Sequence, residues 1–508
     1  MPNVTERESE TVSISDQNPT PEPPRAVVID GVRYVAEADV AETDVPTPPW
    51  FEDPEAVPSI GVAVTTFRRP KMLAQTLAEM ESRLPEGAVR VVVDDGSPEP
   101  VTVPDGWELH RFEDNRGAPS AKNKCIELLY ERGVEHFFLF DDDTFPTASD
   151  WWVPYVASPS PHLQFQFEAA PDHWQIREIR RDGRHRVFDR SRGPMLYISR
   201  DAVDEVGGFH CAFGKRGGWH EDFSLRVHSA GLTDHPFMDV INPQVRCRDQ
   251  YEKGISSVDH REHSIWRHVD RDRLPLYAEF REEPIPVLVP RRDDGGHRDK
   301  VWSWVKKNVW GRIDGFRVVE GYHVTGLFNR AAAVNTAAQI AGNWDVAVVA
   351  DADAWVPEKQ LREAVRRARA TGRVTSALSE VWMLPESASS TILRTKGVPA
   401  SIARPRERKT TPRDTQSICL AVPRVVFEAI GGFDDGYRGW GGEDNAFWHA
   451  ATVVAGEPHR VSGPAYHLYH PPASTREERS EDPVYRRNWN RWLRFKELKT
   501  VEEIKRFR

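Results

Sequence analysis

The stretch Gly439-Trp440-Gly441-Gly442-Glu443-Asp444-Asn445 sets two adjacent acids in a glycine-rich turn, behind a tryptophan. An acid pair so placed suits removal of a proton from a hydroxyl. The glycines allow such a loop to close over a ligand and exclude water. The Trp440 face suits packing on the C–H groups of a sugar ring. Upstream, Val348-Val349-Ala350-Asp351-Ala352-Asp353 reads as an apolar strand ending in a D-x-D pair. Carboxylates at a strand tip suit a divalent cation and a diphosphate. Together the two segments point to transfer of a sugar from a nucleotide donor. Plainer readings exist for each: Glu443 and Asp444 also suit the first turn of a helix, and Asp351 and Asp353 a strand end with solvated acids.

The same order of parts occurs in the first half. Phe137-Phe138-Leu139-Phe140 runs into Asp141-Asp142-Asp143, followed by Gly207-Gly208-Phe209 and Trp219-His220-Glu221-Asp222. The second half has Asp351-Ala352-Asp353, Gly431-Gly432-Phe433 and Trp440-Gly441-Gly442-Glu443-Asp444. The Gly-Gly-Phe copies are 224 residues apart and the acid clusters 210. Matched order at similar offsets argues for two homologous domains in tandem.

Elements that must position these residues follow from periodicity. Gly61 to Thr66 and Val89 to Val93 read as buried strands, the second ending in Asp94-Asp95-Gly96-Ser97. Lys71 to Arg83 and Ala121 to Arg132 read as helices, and Phe137 to Phe140 as a third strand. In the second half Val287 to Val289, Phe316 to Val319 and Val346 to Val349 are strands; Trp302 to Trp310 and Arg330 to Ile340 are helices. Alternation of strands and helices predicts an α/β fold, a mostly parallel sheet with helices on both faces, whose sites lie at the carboxyl ends of the strands. Residues 1–25 carry a disorder-prone composition. Ala26 to Ala36 can form a hairpin about Asp30-Gly31, and Thr47-Pro48-Pro49 reads as a linker. A basic helix over Tyr485 to Arg508, with Trp489, Trp492 and Phe495, is expected to pack on the body. The expected boundaries are 1–58, 59–280, 281–484 and 485–508.

The 508 residues suit two large domains. A net charge of −10 disfavours nucleic acid as a partner. Cys125, Cys211, Cys247 and Cys419 show no pairing pattern, which fits a reducing cytoplasm. No apolar run is long enough for a transmembrane segment, and no secretory leader is visible.

At this point the residues resemble metal-dependent nucleotide-sugar glycosyltransferases of the GT-A (Rossmann-like) fold. Thr65-Thr66-Phe67-Arg68-Arg69, Val92-Val93-Asp94-Asp95-Gly96-Ser97 and Asn115 to Asn123 resemble the family 2 pattern. Gly431-Gly432-Phe433-Asp434 and Gly439 to Asp444 resemble the pattern of β-1,4-galactosyltransferases and polypeptide N-acetylgalactosaminyltransferases. The tandem layout is similar to bacterial or bacteriophage two-domain glycosyltransferases. The resemblance implies Mn²⁺ or Mg²⁺, a nucleotide-sugar donor, uridine-linked, and a glycan or protein acceptor. It implies Asp351 with Asp353 as the metal-site pair, completed by a histidine, His467 in preference to His470. Asp444 is implied as general base, Glu443 as its support or an acceptor contact, and Trp440 as a sugar platform. In the first half it implies Asp141 and Asp143 at the metal, Asp222 with Glu221 as the acid pair, and Trp219 beside the sugar. It further implies Asp94 or Asp95 on uracil or ribose, Thr65 and Arg68 near the nucleotide, and Lys122 near the diphosphate. Counting from the acid cluster, the histidine position falls at Val245 to Cys247, where no histidine stands. Whether both halves are active, the stereochemical outcome, the sugar, the acceptor and the oligomeric state stay open.

Overall fold

A computed structural model describes residues 26–29, 32–35, 58–167, 176–215, 217–248, 265–405, 408–410, 417–471 and 481–508. The expected disordered segment over 1–25 and the linker at Thr47-Pro48-Pro49 lie outside the described residues. The hairpin is present, with Ala26–Ile29 antiparallel to Val32–Val35.

Two six-stranded sheets carry the chain. The first uses β1 (Ile60–Thr66), β2 (Val89–Asp94), β3 (Glu108–Arg111), β4 (His136–Asp141), β6 (His162–Gln164) and β7 (Met195–Ser199) in the order β3-β2-β1-β4-β7-β6. A short ribbon pairs β5 (Thr144–Pro146) with β8 (Val245–Cys247). The second sheet uses β9 (Ile285–Arg291), β10 (Phe316–Tyr322), β11 (Val346–Ala350), β13 (Thr375–Ser376), β14 (Cys419–Pro423) and β15 (His459–Arg460) in the order β10-β9-β11-β14-β13-β15. Beside it, β12 (Ala354–Trp355) pairs with β16 (Pro464–His467).

Five strands of each sheet agree in order and direction. β1 runs parallel to β2 and β4, and β4 antiparallel to β7, which is antiparallel to β6. β9 runs parallel to β10 and β11, and β11 antiparallel to β14, which is antiparallel to β13. These strands read as continuous apolar runs because both faces are covered. Val62, Val64, Phe138 and Phe140 pack on one side with Leu73 and Leu77 of α1 (Pro70–Glu81). Ala63, Phe137 and Leu139 pack on the other with Ile126 and Leu129 of α2 (Ala118–Glu131). The second half repeats this. Val287, Val289 and Val348 face Val301 and Val305, while Leu288, Ala347 and Val349 face Val334 and Ala337. The helices concerned are α4 (His297–Asn308) and α5 (Arg330–Ile340). Each acid-loop motif opens a helix, α3 (Trp219–Ser229) and α6 (Glu443–Ala455).

The basic C-terminal segment is two helices, not one: α7 (Pro483–Phe495) and α8 (Val501–Phe507). Thr500 and Glu503 form a reciprocal capping box that starts α8 afresh. Both pack on the body, with Phe495 and Ile504 buried in the second-half core.

Candidate active site

The carboxyl end of β11 delivers Asp351. Its carboxylate accepts from Arg330 Nη2 at 2.7 Å and Nε at 3.2 Å. The same guanidinium donates from Nη1 to Asp444 Oδ1 at 2.7 Å. Ser417 Oγ donates to Asp444 Oδ2, also at 2.7 Å. Thus one arginine at the start of α5 locks the D-x-D strand to the acid loop. Gly442 caps α6 at φ 94°, and a Cβ there would meet the Tyr437 ring at 2.8 Å, so glycine is required by both conformation and space.

Asp353 stands beside two histidines. His470 Nε2 is 3.2 Å from Oδ2 and His467 Nε2 3.5 Å from Oδ1. The β12–β16 register opposes Ala354 to His467, and Leu468 N donates to Asp353 O at 2.9 Å. One ligand atom from each of the three residues lies within 4.8 Å of the others. Burial opposes the charge on Asp353, but His467 and His470 hold its carboxyl well below the usual range. His467 Nδ1 is buried with no hydrogen-bond partner among the described residues. This donor set fits a divalent cation. Two imidazoles suit a first-row transition ion better than Mg²⁺, which prefers oxygen. Both His467 and His470 flank the carboxylate.

Glu443 is 8 % exposed, and its Oε2 is buried without a partner among the described residues. Burial, followed by the Asp444 charge, pushes its carboxyl up to about 7, against the pull of Arg330. Trp440 is 59 % exposed and stacks on Tyr485 of α7, with ring centroids 5.4 Å apart. The acid loop is tied down in this conformation. Buried Asn488 of α7 donates to the Arg438 and Trp440 carbonyls at 2.9 and 3.2 Å, and Gly439 N donates to Phe328 O at 2.8 Å.

In the first half, Lys122 is fully buried and lies 2.9 Å from Asp141 Oδ1, as Arg330 lies against Asp351. Thr66 Oγ1 donates to Asp142 at 2.6 Å, and burial pushes that acid up to about 7. Arg69 Nη2 donates to Asp143 Oδ2 at 2.8 Å. β8 opposes Cys247 to Thr144, and Arg248 N donates to Asp143 O at 2.8 Å, the same backbone arrangement as at Leu468 and Asp353. Cys247 therefore holds the His467 position, with its Sγ 3.6 Å from Asp143. An arginine thus lies on the Asp143 carboxylate and a cysteine in the histidine place. Among the described residues the three-ligand cluster at Asp353 has no counterpart here.

The structure sets Asp222, Glu221 and Trp219 of the first half against protein groups. Gly218 caps α3 as Gly442 caps α6, with Asp222 N bonded to Gly218 O and Ala446 N to Gly442 O, each at 2.9 Å. The buried positions Trp219, Asp222, Phe223 and Val227 of α3 match Glu443, Ala446, Phe447 and Ala451 of α6. The halves repeat at the 224-residue spacing of Gly-Gly-Phe, so Asp222 is two residues out of phase with Asp444. It turns into the body and bonds Arg226 Nε at 2.9 Å. Glu221 pairs with Arg271 at 2.9 Å. Trp219 is only 6 % exposed, edge-on to Phe209, and offers no face to a sugar.

Asp94 and Asp95 are likewise turned onto the protein. Asp94 accepts from Ser97 N and Arg111 Nε, both at 3.0 Å. Asp95 accepts from Arg116 N and Gly117 N at 2.7 and 2.9 Å and from Asn115 Nδ2 at 2.9 Å. These bonds shape the loops at the two strand ends. Thr65 is half-buried beside Phe140 O. Arg68 is exposed at φ 59°, with its backbone N bonded to Ser97 Oγ at 2.8 Å. Sequence reasoning missed Arg69 and Ser417 as partners of the acids. It also missed the pins of the Gly-Gly-Phe turns, where Asn123 brackets Phe209 and Asn335 brackets Phe433 through paired side-chain-to-backbone bonds of 2.7–2.9 Å.

Residues 411–471 match a family model described as the N-terminal domain of galactosyltransferase. That segment contains Ser417, Glu443, Asp444, His467 and His470. No curated protein sequence matches the chain. Among solved structures, the catalytic domain of Drosophila β1,4-galactosyltransferase 7 complexed with xylobiose is 19 % identical, over 35 % of this chain and 65 % of that one, at TM-score 0.21. GalNAc-T7 with UDP, GalNAc and Mn²⁺ is 14 % identical, over 38 % of this chain and 44 % of that one, at TM-score 0.30. A mutant of the Drosophila enzyme with manganese, UDP-Gal and xylobiose is 14 % identical, over 46 % of this chain and 87 % of that one, at TM-score 0.27. The chain spans less than two thirds of the first two. Likenesses at this level assign nothing to individual residues here. No helix among the described residues is long and apolar enough to cross a membrane.

Proposed function

We propose that this chain is a glycosyltransferase that moves a sugar from a nucleotide donor, uridine-linked, to a hydroxyl of a glycan or protein acceptor. The observation that carries this is Arg330, which joins Asp351 to Asp444 beside the Asp353–His467–His470 donor set. The family-model match over the acid loop and both histidines supports it.

Asp353, His467 and His470 would hold a divalent cation, Mn²⁺ in preference to Mg²⁺. Bound there, the cation supplies charge stabilisation to a leaving diphosphate. Arg330 holds Asp351 and Asp444 to one guanidinium. Asp444 takes the proton of the acceptor hydroxyl as that oxygen bonds the anomeric carbon and the donor's C–O bond to phosphate breaks. Ser417 holds the second carboxylate oxygen. Trp440 offers a ring face to donor or acceptor sugar.

The two sheets are read as tandem GT-A domains over 59–280 and 281–484, with two donor sites. A second reading keeps one active half and makes the first an acceptor-binding relic. Arg69 on Asp143 and Cys247 in the histidine place favour it. Calorimetric titration with UDP, with and without Mn²⁺, tests the function: Mn²⁺-dependent binding lost in Asp353→Asn is expected. Absence of UDP binding in both conditions would remove uridine donors. Transfer left wholly undiminished in Asp353→Asn would refute the second-half mechanism.

A further inference from the structure

We infer that the first half has its own proton acceptor, His220, in the place that Asp444 holds in the second. The inference rests on the glycosyl-transfer reading above and adds a catalytic group to it.

Both helices begin at a left-handed glycine, Gly218 and Gly442, and bury matching positions from there on. Phe223 packs on Phe209 as Phe447 packs on Phe433, with centroids 4.7 and 3.9 Å apart. At this phase the second residue of each helix is His220 or Asp444. Each is held by a serine from the segment leading into the antiparallel strand of its sheet. Ser191 Oγ is 3.0 Å from His220 Nδ1, and Ser417 Oγ is 2.7 Å from Asp444. In both halves that segment also binds the acid strand: Asp141 N donates to Pro194 O and Asp351 N to Ile418 O, at 2.8 and 2.9 Å. His220 is half-buried, one residue into α3. Burial holds its imidazole below the ordinary range, against the pull of Glu221 and Asp141; the neutral ring is the form that accepts a proton.

The serine occupies Nδ1, which makes Nε2 the reacting nitrogen. The acceptor oxygen bonds the anomeric carbon, the bond from that carbon to the diphosphate oxygen breaks, and the hydroxyl proton passes to Nε2. The imidazolium then releases it to water, and the nucleoside diphosphate leaves with the bonding pair.

The test uses the full chain carrying Asp444→Asn, which silences the second site. UDP release from UDP-galactose and UDP-N-acetylgalactosamine is followed with water as acceptor, alongside UDP binding and melting temperature. His220→Gln should cut release at least 100-fold with binding and melting temperature unchanged. His220→Asp should restore part of it and move the acid limb of the pH profile down by about 2 units, the gap between imidazole and carboxylate. Full release in His220→Gln, or loss in Asp222→Asn with an unchanged melting temperature and not in His220→Gln, would overturn the assignment. So would a chain active as wild type but silent as Asp444→Asn, since the first half would then catalyse nothing. No release from either donor by the wild-type chain, together with no UDP binding, would instead refute the uridine-linked glycosyl-transfer reading itself.

Discussion

Asp351 and Asp444, far apart in sequence, share the two Nη atoms of Arg330 at 2.7 Å each. Arg330 is half-buried, and removing it leaves both partly exposed carboxylates without their shared donor. Arg330→Met should lower stability by roughly 1–3 kcal/mol and abolish second-half transfer. Arg330→Lys keeps the charge but cannot bridge both acids. It should recover much of the stability and little of the activity, a split that denaturant unfolding and kinetics would read side by side.

Glu443 provides a pH signature. Its folded carboxyl titrates near 7, above its ordinary value, through burial and the Asp444 charge. The folded chain therefore binds this proton more tightly than the unfolded one. That contribution is complete below the ordinary glutamate range and is lost as pH rises through 7. Glu443→Gln should match wild type near pH 4 and be more stable at pH 8.5 by roughly 1–3 kcal/mol. Equal stabilities at pH 8.5 would contradict the burial argument.

The two motif tryptophans should behave oppositely. Trp219 is packed against Phe209 in the core, so Trp219→Ala should cost roughly 3–5 kcal/mol. Trp440 is exposed and stacks on Tyr485. Trp440→Ala should cost at most about 1 kcal/mol yet reduce transfer at least tenfold. Melting curves and rates for the pair of variants settle the matter.

Counting bound metal separates the halves. Mn²⁺ titration followed by electron paramagnetic resonance should give one ion per chain. It should fall to none in Asp353→Asn, weaken at least tenfold in His470→Ala, and stay at one in Asp143→Asn. A second ion lost in Asp143→Asn would show that Arg69 yields its carboxylate to metal.

Asn488 supplies a further check. Its amide satisfies two carbonyls of the acid loop from a fully buried position. Asn488→Ala should cost roughly 1–3 kcal/mol and lower second-half kcat more than it weakens UDP binding. An unchanged kcat would mean that the loop holds its shape without α7.

Much of the fold was legible because its strands are buried on both faces and so read as unbroken apolar runs. The helix expected over Arg330 to Ile340 forms with those bounds. In the second half the motif residues Asp351, Asp444, Asp353 and His467 are brought together by the fold. In the first half the letters match but the helical phase differs. Glu221-Asp222 copies Glu443-Asp444 in composition, but helical phase is set by the capping glycines and by Gly-Gly-Phe, and the phase differs by two residues. The 224-residue spacing already carried that information. Arg69 was visible as a motif residue, but its bond to Asp143 spans 74 positions and depends on the ends of β1 and β4 lying side by side. The break between α7 and α8 had a local signal, Thr500 followed three residues later by Glu503.

The clamp on the acid loop bears on the thermodynamics of donor capture. A loop already fixed by Asn488 and by the Gly439–Phe328 bond loses little conformational freedom when a ligand arrives. Second-half binding should then carry a small entropic penalty and a heat-capacity change set by the apolar area the ligand covers, without the larger signature of a segment that folds on binding.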